Sequence, residues 1–123
     1  TACVADAQVA GQGRGGNAWD SPEGCLMFSL VLETAMDGAR LPFVQYVASL
    51  AIVRAVEARL GDVGLRLKWP NDLYAKGQKL GGVLCTSAYR GGAFRVLVGV
   101  GLNVNNSEPT TCLRDLAGRR EDV

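Results

Sequence analysis

Residues 93–104 read AFRVLVGVGLNV, and this run predicts a β-strand in which every second side chain points to the same face of a sheet. One face is apolar and predicts a core face: Phe94, Val96, Val98, Val100, Leu102 and Val104. The other face carries Gly99, Gly101 and Asn103, which leaves little bulk beside a hydrogen-bonding amide. Glycine inside a strand often marks the close approach of a ligand or another backbone. The run therefore predicts a strand with its core on one side and a candidate site on the other.

A hairpin partner for this strand lies immediately before it. Residues 80–89 have the composition of a strand, and the sequence RGG between the two runs is typical of a hairpin turn. Period-two alternation predicts that Lys79, Gly81 and Val83 share a face. Across the hairpin, two glycine-bearing faces would then form the floor of one pocket, with Lys79 and Asn103 at its edges. The alternative interpretation of these glycines is a bulge or a helix packed tightly over the sheet.

The remaining elements follow from periodicity and from glycine and proline. Pro42 opens a helix at its first turn and Gly61 ends it, and apolar residues are so widely spread that we expect this helix to be covered on most sides. A second helix is predicted from Leu113 onward. Further strand candidates are residues 2–10, 24–33, 65–69 and 71–75. Because strands outnumber helices and short turns join them, the sequence predicts an α+β fold with a mixed, largely antiparallel sheet backed by helices.

Two polar segments carry the groups that a nucleotide requires. Residues 11–22 read GQGRGGNAWDSP, a glycine-rich loop whose backbone N–H groups and arginine are able to reach an anion. Residues 68–72 read KWPND and place a lysine close to an aspartate, which suits a nucleotide and its metal ion. Residues 11–16 also match G-x-G-x-x-G, but a strand-like run follows them instead of a helix. The sequence therefore does not favour a Rossmann fold.

The composition bounds the other possibilities. The 123-residue chain has 13 basic and 12 acidic residues and no basic block, so it gives no support for a nucleic-acid partner. Histidine is absent and the four cysteines form no C-x-x-C, so the usual zinc ligands are missing. The apolar runs are too short and too interrupted by charge to predict a membrane span. We expect one small domain with reduced thiols, located in the cytoplasm or, alternatively, in a mitochondrial or plastid pool.

Four segments in order resemble the signatures of the biotin protein ligase catalytic domain: GQGRGGNAWDSP at 11–22, KWPND at 68–72, QKLGGVL at 78–84 and GVGLNV at 99–104. The run RLPFVQ at 40–45 resembles the eukaryotic branch, holocarboxylase synthetase. The resemblance covers nearly the whole chain and implies a fold similar to class II aminoacyl-tRNA synthetases. It also implies an ATP- and Mg²⁺-dependent enzyme that joins biotin to ATP, giving biotinyl-5'-AMP and pyrophosphate. The biotin would then pass to a lysine on a carboxyl-carrier domain of a biotin-dependent carboxylase.

The resemblance further implies a role for individual residues. Biotin and the adenylate would be held by the first segment and its neighbours: Gln8, Gly11, Gln12, Gly13, Arg14 and Trp19. The triphosphate and Mg²⁺ would be served by the second segment: Lys68, Asn71 and Asp72, with Asp72 as the metal ligand. The sheet would contribute Lys79 at the biotin carboxylate and adenylate phosphate, Gly81, Gly99 and Gly101 in the pocket, and Asn103 on the adenine side. Lys79, Arg14 and Lys68 would be the catalytic residues.

The chain departs from the family pattern in two respects. Position 12, usually basic in the family, is Gln12, which removes one charge from the loop. The family's upstream segment that hydrogen-bonds the ureido group of biotin would precede Thr1, and the small C-terminal domain would follow the last residue. Residues 1–123 are therefore expected to be a partial catalytic domain. A lipoate–protein ligase relative and a truncated, non-catalytic remnant that binds nucleotide or biotin remain alternatives.

Overall fold

A computed structural model describes residues 1–118 of the 123-residue chain. Within them lie eight strands: β1 (Ala2–Ala5), β2 (Gly11–Gln12), β3 (Ala18–Trp19), β4 (Cys25–Thr34), β5 (Arg66–Lys68), β6 (Asp72–Ala75), β7 (Gln78–Arg90) and β8 (Ala93–Asn103). The two α-helices are α1 (Pro42–Leu60) and α2 (Leu113–Leu116). Short 3-10 turns occupy Arg14–Gly16 and Gly38–Arg40. The predicted helix from Leu113 is thus a single short turn in the described part, and positions beyond 118 lie outside it.

Six of the strands form one sheet in the order β1-β4-β8-β7-β6-β5. Each described pairing in this sheet is antiparallel, as is the separate ladder between β2 and β3. The predicted α+β class is therefore confirmed, and the sheet is more regular than the expected mixed one. The long β4–β8–β7 pairings place the hairpin predicted from residues 80–104 at the centre of the sheet.

The helix α1 begins and ends where the sequence predicts. Pro42 occupies the first turn, where its missing N–H costs no hydrogen bond, and Gly61 ends the helix at φ +78°. Val53 and Val56 are buried against the sheet. The expectation that α1 is covered on most sides is wrong within residues 1–118, because Phe43, Val47 and Leu50 remain exposed by 61%, 66% and 48%. The contacts of α1 with the sheet use only one side of its apolar surface.

The same helix corrects the expectation about membrane spans. The segment Gly38–Leu60 has a mean hydropathy of 1.3 and is long and apolar enough to cross a membrane by length and composition alone. Core helices of water-soluble proteins meet the same criterion, and α1 here packs on a sheet. Meeting this criterion is therefore weak evidence for a membrane span. The expectation that short length and charge exclude a span is nevertheless wrong for this segment.

The core lies between α1 and one face of the sheet. One cluster is formed by Val53, Val56, Leu65, Leu73, Leu80, Leu102 and Leu113. A second is formed by Val83, Val96, Val98 and Val100. The alternate apolar residues of β8 are therefore the core face, as predicted. Of the four cysteines, all unpaired, Cys25 and Cys112 are buried, while Cys3 is exposed and Cys85 is half-buried.

A β-bulge changes the predicted faces of β7. The pairing with β6 runs Leu73 with Gly81 and then Tyr74 with Lys79, so Leu80 is the extra residue. Because one inserted residue reverses the alternation, Lys79 does not share a face with Gly81 and Val83. Val83 is fully buried in the core, whereas Lys79 shares the opposite face with Gly82. A bulge, one of the alternative interpretations of these glycines, is present here, but its extra residue is Leu80 and not a glycine.

The first predicted strand is shorter than expected. Its pairing with β4 stops at Ala5 opposite Met27, although the sequence predicted a strand over residues 2–10. The chain then leaves the sheet and passes through β2, the Arg14–Gly16 turn and β3 before it returns in β4. Apolar composition over residues 7–10 therefore predicted a strand where the chain begins to cross over the sheet.

Replacement of Leu73 by alanine is expected to destabilise the full-length protein by about 2–5 kcal/mol, because it leaves a cavity in a packed core. Leu73 is fully buried in the core cluster that also contains Leu65 and Leu80. Urea unfolding measures the change, and Leu67→Ala on the neighbouring strand is the control because Leu67 is 43% exposed. Equal stability of the two variants would contradict the described core.

Candidate functional site

A cavity of about 970 Å³ lies on the face of the sheet opposite α1. Its floor is the sheet, and its roof is the segment between β1 and β4. The predicted site residues that line it are Gln8, Gln12, Gly13, Arg14, Trp19, Asn71, Asp72, Lys79, Gly99 and Gly101. Four segments that are far apart in the sequence therefore meet in one place.

The strand register explains the shape of the floor. One row across the sheet consists of Ala5, Met27, Gly101, Gly82 and Asp72, which are successive partners in the β1, β4, β8, β7 and β6 ladders. The next row consists of Cys3, Ser29, Gly99 and Leu84. Small side chains at the centre of both rows leave space above the sheet, and the first row continues through the carboxylate of Asp72 to Lys68 at the sheet edge.

The glycines of the site fall into two groups, in which the absence of a side chain has different consequences. A Cβ built at Gly82 or Gly99 would meet no atom nearer than 3.4 Å or 3.6 Å, so it would occupy the cavity. A Cβ at Gly101 would collide with the indole ring of Trp19. At Gly81 it would collide with the carbonyl oxygen of Gly101. Only the first pair provides room for a ligand, and the other two permit close packing.

The roof is a glycine-rich loop with special backbone geometry. Gly15 and Gly16 have φ values of +69° and +80°, a region that favours glycine. The N–H of Gly13 donates to the carbonyl oxygen of Asn17 at 2.6 Å, which closes the loop on itself. Arg14 is exposed on this turn and lines the cavity, so its guanidinium is available to an anion bound there.

The charged centre of the site is an ion pair between β6 and β7. The ammonium of Lys79 lies 2.8 Å from a carboxylate oxygen of Asp72. The same ammonium lies 5.4 Å from the centre of the Trp19 ring, within the range of a cation–π interaction. Because the side chains of Lys79 and Asp72 are 36% and 22% exposed, both remain accessible from the cavity. An incoming anion would have to compete with Asp72 for the ammonium.

Asn71 is held by hydrogen bonds to the neighbouring strand. Its amide donates to the carbonyl oxygen of Val83 at 3.0 Å, and the N–H of Val83 donates back to the carbonyl oxygen of Asn71 at 2.9 Å. The amide of Gln45, on α1, donates to the carbonyl oxygen of Pro70 at 2.7 Å. These bonds fix the corner from which Asp72 projects. Asn71 lines the cavity, but its side-chain amide already donates a hydrogen bond to the backbone of Val83.

Four predicted site residues do not line the cavity: Gly11, Lys68, Gly81 and Asn103. Lys68 pairs with Asp72 in the β5–β6 ladder, and its ammonium lies 4.3 Å from the centre of the Tyr74 ring at the edge of the sheet. Asn103 is only 2% exposed, and its amide bonds with Thr110 and Asn106. Gly11 pairs with Trp19 in the small ladder of the roof. The prediction that Asn103 lies at the edge of the pocket is therefore wrong.

Sequence reasoning missed several residues that the fold brings to the cavity. Ser29 and Thr86 line it from β4 and β7, and Asn17 lines it from the roof. Their positions depend on the register of the ladders, for which a single strand pattern gives no signal. Gln45 gave no signal either, because a polar residue on a helix is usually solvated. Gly82 did give a signal in the sequence, because it stands beside Gly81 in a predicted strand.

Two of the thiols, Cys25 and Cys85, do not line the cavity and are poorly suited to nucleophilic chemistry. Burial raises the pKa of the Cys25 thiol, and burial likewise raises the pKa of the Cys85 thiol. A raised pKa keeps a thiol protonated and therefore a poor nucleophile at neutral pH. Among residues 1–118, no group of three or more carboxylate, thiol or imidazole side chains stands close enough to hold a metal ion. Within residues 1–118, Asp72 is the one acidic residue on the cavity wall.

Gly101→Ala is expected to displace the Trp19 ring, because the added methyl group would occupy the position of the indole. In the full-length protein, the Trp19 signal is taken as the difference between the emission of a protein with Trp19 and that of its Trp19→Phe counterpart, and this signal should shift to the red as the ring gains contact with water. Gly99→Ala is the matched control, since its Cβ would meet nothing within 3.5 Å. An unchanged spectrum for Gly101→Ala would contradict the described packing of Trp19.

Comparison with known proteins relates this geometry to a family. Residues 1–103 match the family model described as "Biotin/lipoate A/B protein ligase family". "Biotin--protein ligase 2" of Arabidopsis thaliana is 54% identical over 116 residues, which cover 90% of this chain and 35% of that protein. "Biotin--protein ligase" of Homo sapiens is 45% identical over 119 residues, which cover 92% of this chain and 16% of that protein.

Solved structures agree with the sequence comparison. The biotin protein ligase from Aquifex aeolicus in complex with biotin and ATP matches with a TM-score of 0.83 and 34% identity, covering 99% of this chain and 52% of that one. The biotin protein ligase from Leishmania major in complex with biotinyl-5-AMP matches with a TM-score of 0.79 and 26% identity, covering 95% and 54%. The chain thus spans about half of these structures and about a third of the Arabidopsis relative. The chain belongs to the biotin/lipoate A/B protein ligase family.

Proposed function

We propose that the protein containing this chain is a biotin–protein ligase that activates biotin with ATP and transfers it to a lysine of a carrier domain. The observation that carries this proposal is the cavity in which Arg14, Lys79 and Asp72 gather above a glycine floor. The names of the relatives and the ligands of the matching structures support biotin and ATP as the substrates. The identities of 54% and 45% to plant and human proteins, against 33% to the Escherichia coli relative, favour the holocarboxylase synthetase branch.

The first step joins two anions, and the cations of the site lower that cost. The carboxylate of biotin attacks the α-phosphorus of ATP, a P–O bond to the leaving pyrophosphate breaks, and biotinyl-5'-AMP forms. The nucleophile is already ionised, so this step requires no protein base. Lys79 is the cation best placed to contact both the carboxylate and the α-phosphate, because it projects from the floor between Gly82 and the Trp19 ring. Fixed positive charge at such a point stabilises the transition state.

The glycine loop would protect the product of the first step. Biotinyl-5'-AMP is a mixed anhydride that water hydrolyses, so a ligase must exclude water until the acceptor arrives. Gln12, Gly13 and Arg14 lie on the roof of the cavity, and the positive φ angles of Gly15 and Gly16 form a tight turn behind them. Arg14 would hold the adenylate phosphate from this side, while Lys79 holds it from the floor.

Mg²⁺ fits this site as a companion of the nucleotide. Mg²⁺ is usually bound by one or two carboxylates together with substrate phosphates, rather than by a cage made only of protein groups. Asp72 supplies one carboxylate on the cavity wall, and Lys68 lies opposite it in the ladder, at the sheet edge where a triphosphate tail would leave the cavity. The ion would neutralise the charge of the departing pyrophosphate. Asn71 would contribute mainly by fixing the position of Asp72.

The second step transfers biotin to a protein lysine. The amine attacks the carbonyl carbon of biotinyl-5'-AMP, the C–O bond to AMP breaks, an amide forms and the amine proton is lost. The acceptor must reach the cavity with an extended lysine side chain, which suits an exposed lysine of a carboxyl-carrier domain. Lipoate is the alternative acyl group, because the family includes lipoate ligases. Competition between biotin and lipoate for adenylate formation separates the two substrates.

Lys79→Ala is expected to lower biotin-dependent pyrophosphate release from ATP by a factor of about 10²–10³, the usual cost of losing one charged stabiliser. The variant is made in the full-length protein. Lys76→Asn is the matched control, because Lys76 stands in the β6–β7 turn outside the cavity, with a φ of +50° that asparagine tolerates. Normal pyrophosphate release by Lys79→Ala would remove Lys79 from the proposed chemistry.

Arg14→Gly is expected to release biotinyl-5'-AMP about ten times faster or more, since a cation over the phosphate is lost while the floor remains. Dissociation is followed with adenylate formed in the site from radiolabelled biotin. Arg90→Gly at the distal hairpin turn is the control because it lies outside the cavity. Equal dissociation rates for Arg14→Gly and the unmodified protein would argue against the role of the loop.

A further inference from the structure

The bulge in β7 determines where Lys79 points. Pairing with β6 omits Leu80, so Lys79 and Gly82 share the cavity face although three positions separate them. In a regular strand the alternation would have turned the Lys79 side chain toward the core. The position of the ammonium in the cavity therefore depends on a local irregularity of the backbone, and an irregular backbone needs contacts that fix it.

One such contact comes from a loop far along the chain. The hydroxyl of Thr110 donates a hydrogen bond to the carbonyl oxygen of Lys79 at 2.5 Å. This bond is made at the first residue of the bulge and joins positions 31 apart. The bond connects the loop after β8 to the backbone of Lys79, the residue whose side chain carries the ammonium. Thr110 itself is exposed and does not line the cavity.

Two buried amides hold Thr110 in place. The Nδ2 of Asn103 donates to Oγ1 of Thr110 at 3.4 Å, and the Nδ2 of Asn106 donates to Oδ1 of Asn103 at 2.9 Å. Asn106 also donates to the carbonyl oxygen of Glu108 at 3.1 Å and accepts from the N–H of Val104 at 3.2 Å. Asn103 and Asn106 are 2% and 7% exposed. Because a buried amide without partners is costly, these bonds fix one arrangement of the loop.

We propose that Thr110, held by Asn103 and Asn106, is a positioning residue that keeps the β7 bulge in the geometry that directs Lys79 into the cavity. The inference rests on the proposed function, since it assigns the network to the step in which Lys79 acts. It also gives Asn103 a role that differs from contact with the adenine. The hydrogen bonds run in one direction, from Asn106 to Asn103, to Thr110 and to the carbonyl of Lys79, so each donor polarises the next.

The test compares Thr110→Val with Thr110→Ser in the full-length protein. Valine removes the hydroxyl, and we expect biotin-dependent pyrophosphate release to fall by about 10²-fold, since a misplacement of about 1 Å has that effect on a reacting group. We expect kcat to carry the loss while the KM for ATP changes little, because the triphosphate contacts are elsewhere. Serine keeps the hydroxyl and should restore most of the rate. A purely structural role would lower thermal stability without this division between kcat and KM.

Thr34→Val is the control for the loss of a hydroxyl. Thr34 accepts a hydrogen bond from the N–H of Met36 at 3.2 Å, at the end of β4 remote from Lys79. This variant should keep the unmodified rate. If Thr110→Val retains the unmodified kcat, or if Thr110→Ser is as slow as Thr110→Val, the proposal is overturned.

A measurement without ligands separates this proposal from the proposed function. Amide hydrogen exchange at residues 79–82 should become about tenfold faster in Thr110→Val and stay unchanged in Thr34→Val, because a bulge that loses its restraint opens more often. Unchanged exchange in Thr110→Val would overturn the positioning role whatever the activity. Faster exchange in a protein whose unmodified form releases no pyrophosphate with biotin would support the positioning of Lys79 and contradict the ligase assignment.

Discussion

The structure depends on the antiparallel register that joins β4, β8 and β7. Successive partners across these three strands alternate between the two faces of the sheet. On one face valines and leucines meet α1, and on the other serine and glycines leave a cavity. A register shift of one residue would turn the valines into the cavity and the glycines into the core. The packing of the core and the width of the cavity are thus set by the same hydrogen bonds, which explains why the cavity can be wide without weakening the core.

The electrostatics of the site follow from the same register and from the bulge. Asp72 lies in the row that begins at Ala5, next to Lys68 at the edge of the sheet, and the bulge brings Lys79 beside Asp72 at 2.8 Å. The pair is partly exposed, so its own contribution to folding is small. The pair matters for the site because the ammonium and the carboxylate are already held next to each other at the cavity. A ligand with a carboxylate and a phosphate can take the ammonium from Asp72, which leaves that carboxylate for a cation. The exchange of partners accommodates added negative charge without a large rearrangement.

Much of the fold was predictable because its signals are local. Alternation in residues 93–104, the RGG turn and the Pro42 and Gly61 boundaries each depend on neighbours in the sequence. The bulge at Leu80 was not placed, since nothing in the residues of β7 alone shows which one lacks a partner on β6. The roles of Asn103, Asn106 and Thr110 depend on a loop that folds back onto β7, so a strand pattern could suggest only an exposed amide. The outer face of α1 was misjudged for a related reason. An apolar composition predicts burial, but it does not say which element covers each side.

The proposed chemistry requires that one cavity binds both halves of biotinyl-5'-AMP. Calorimetric titration of the full-length protein with a non-hydrolysable analogue of that adenylate measures this binding. We expect saturable binding with one site per chain, and competition by biotin but not by lipoate. No binding to a protein that circular dichroism shows to be folded would refute the proposed site, as would competition by lipoate alone.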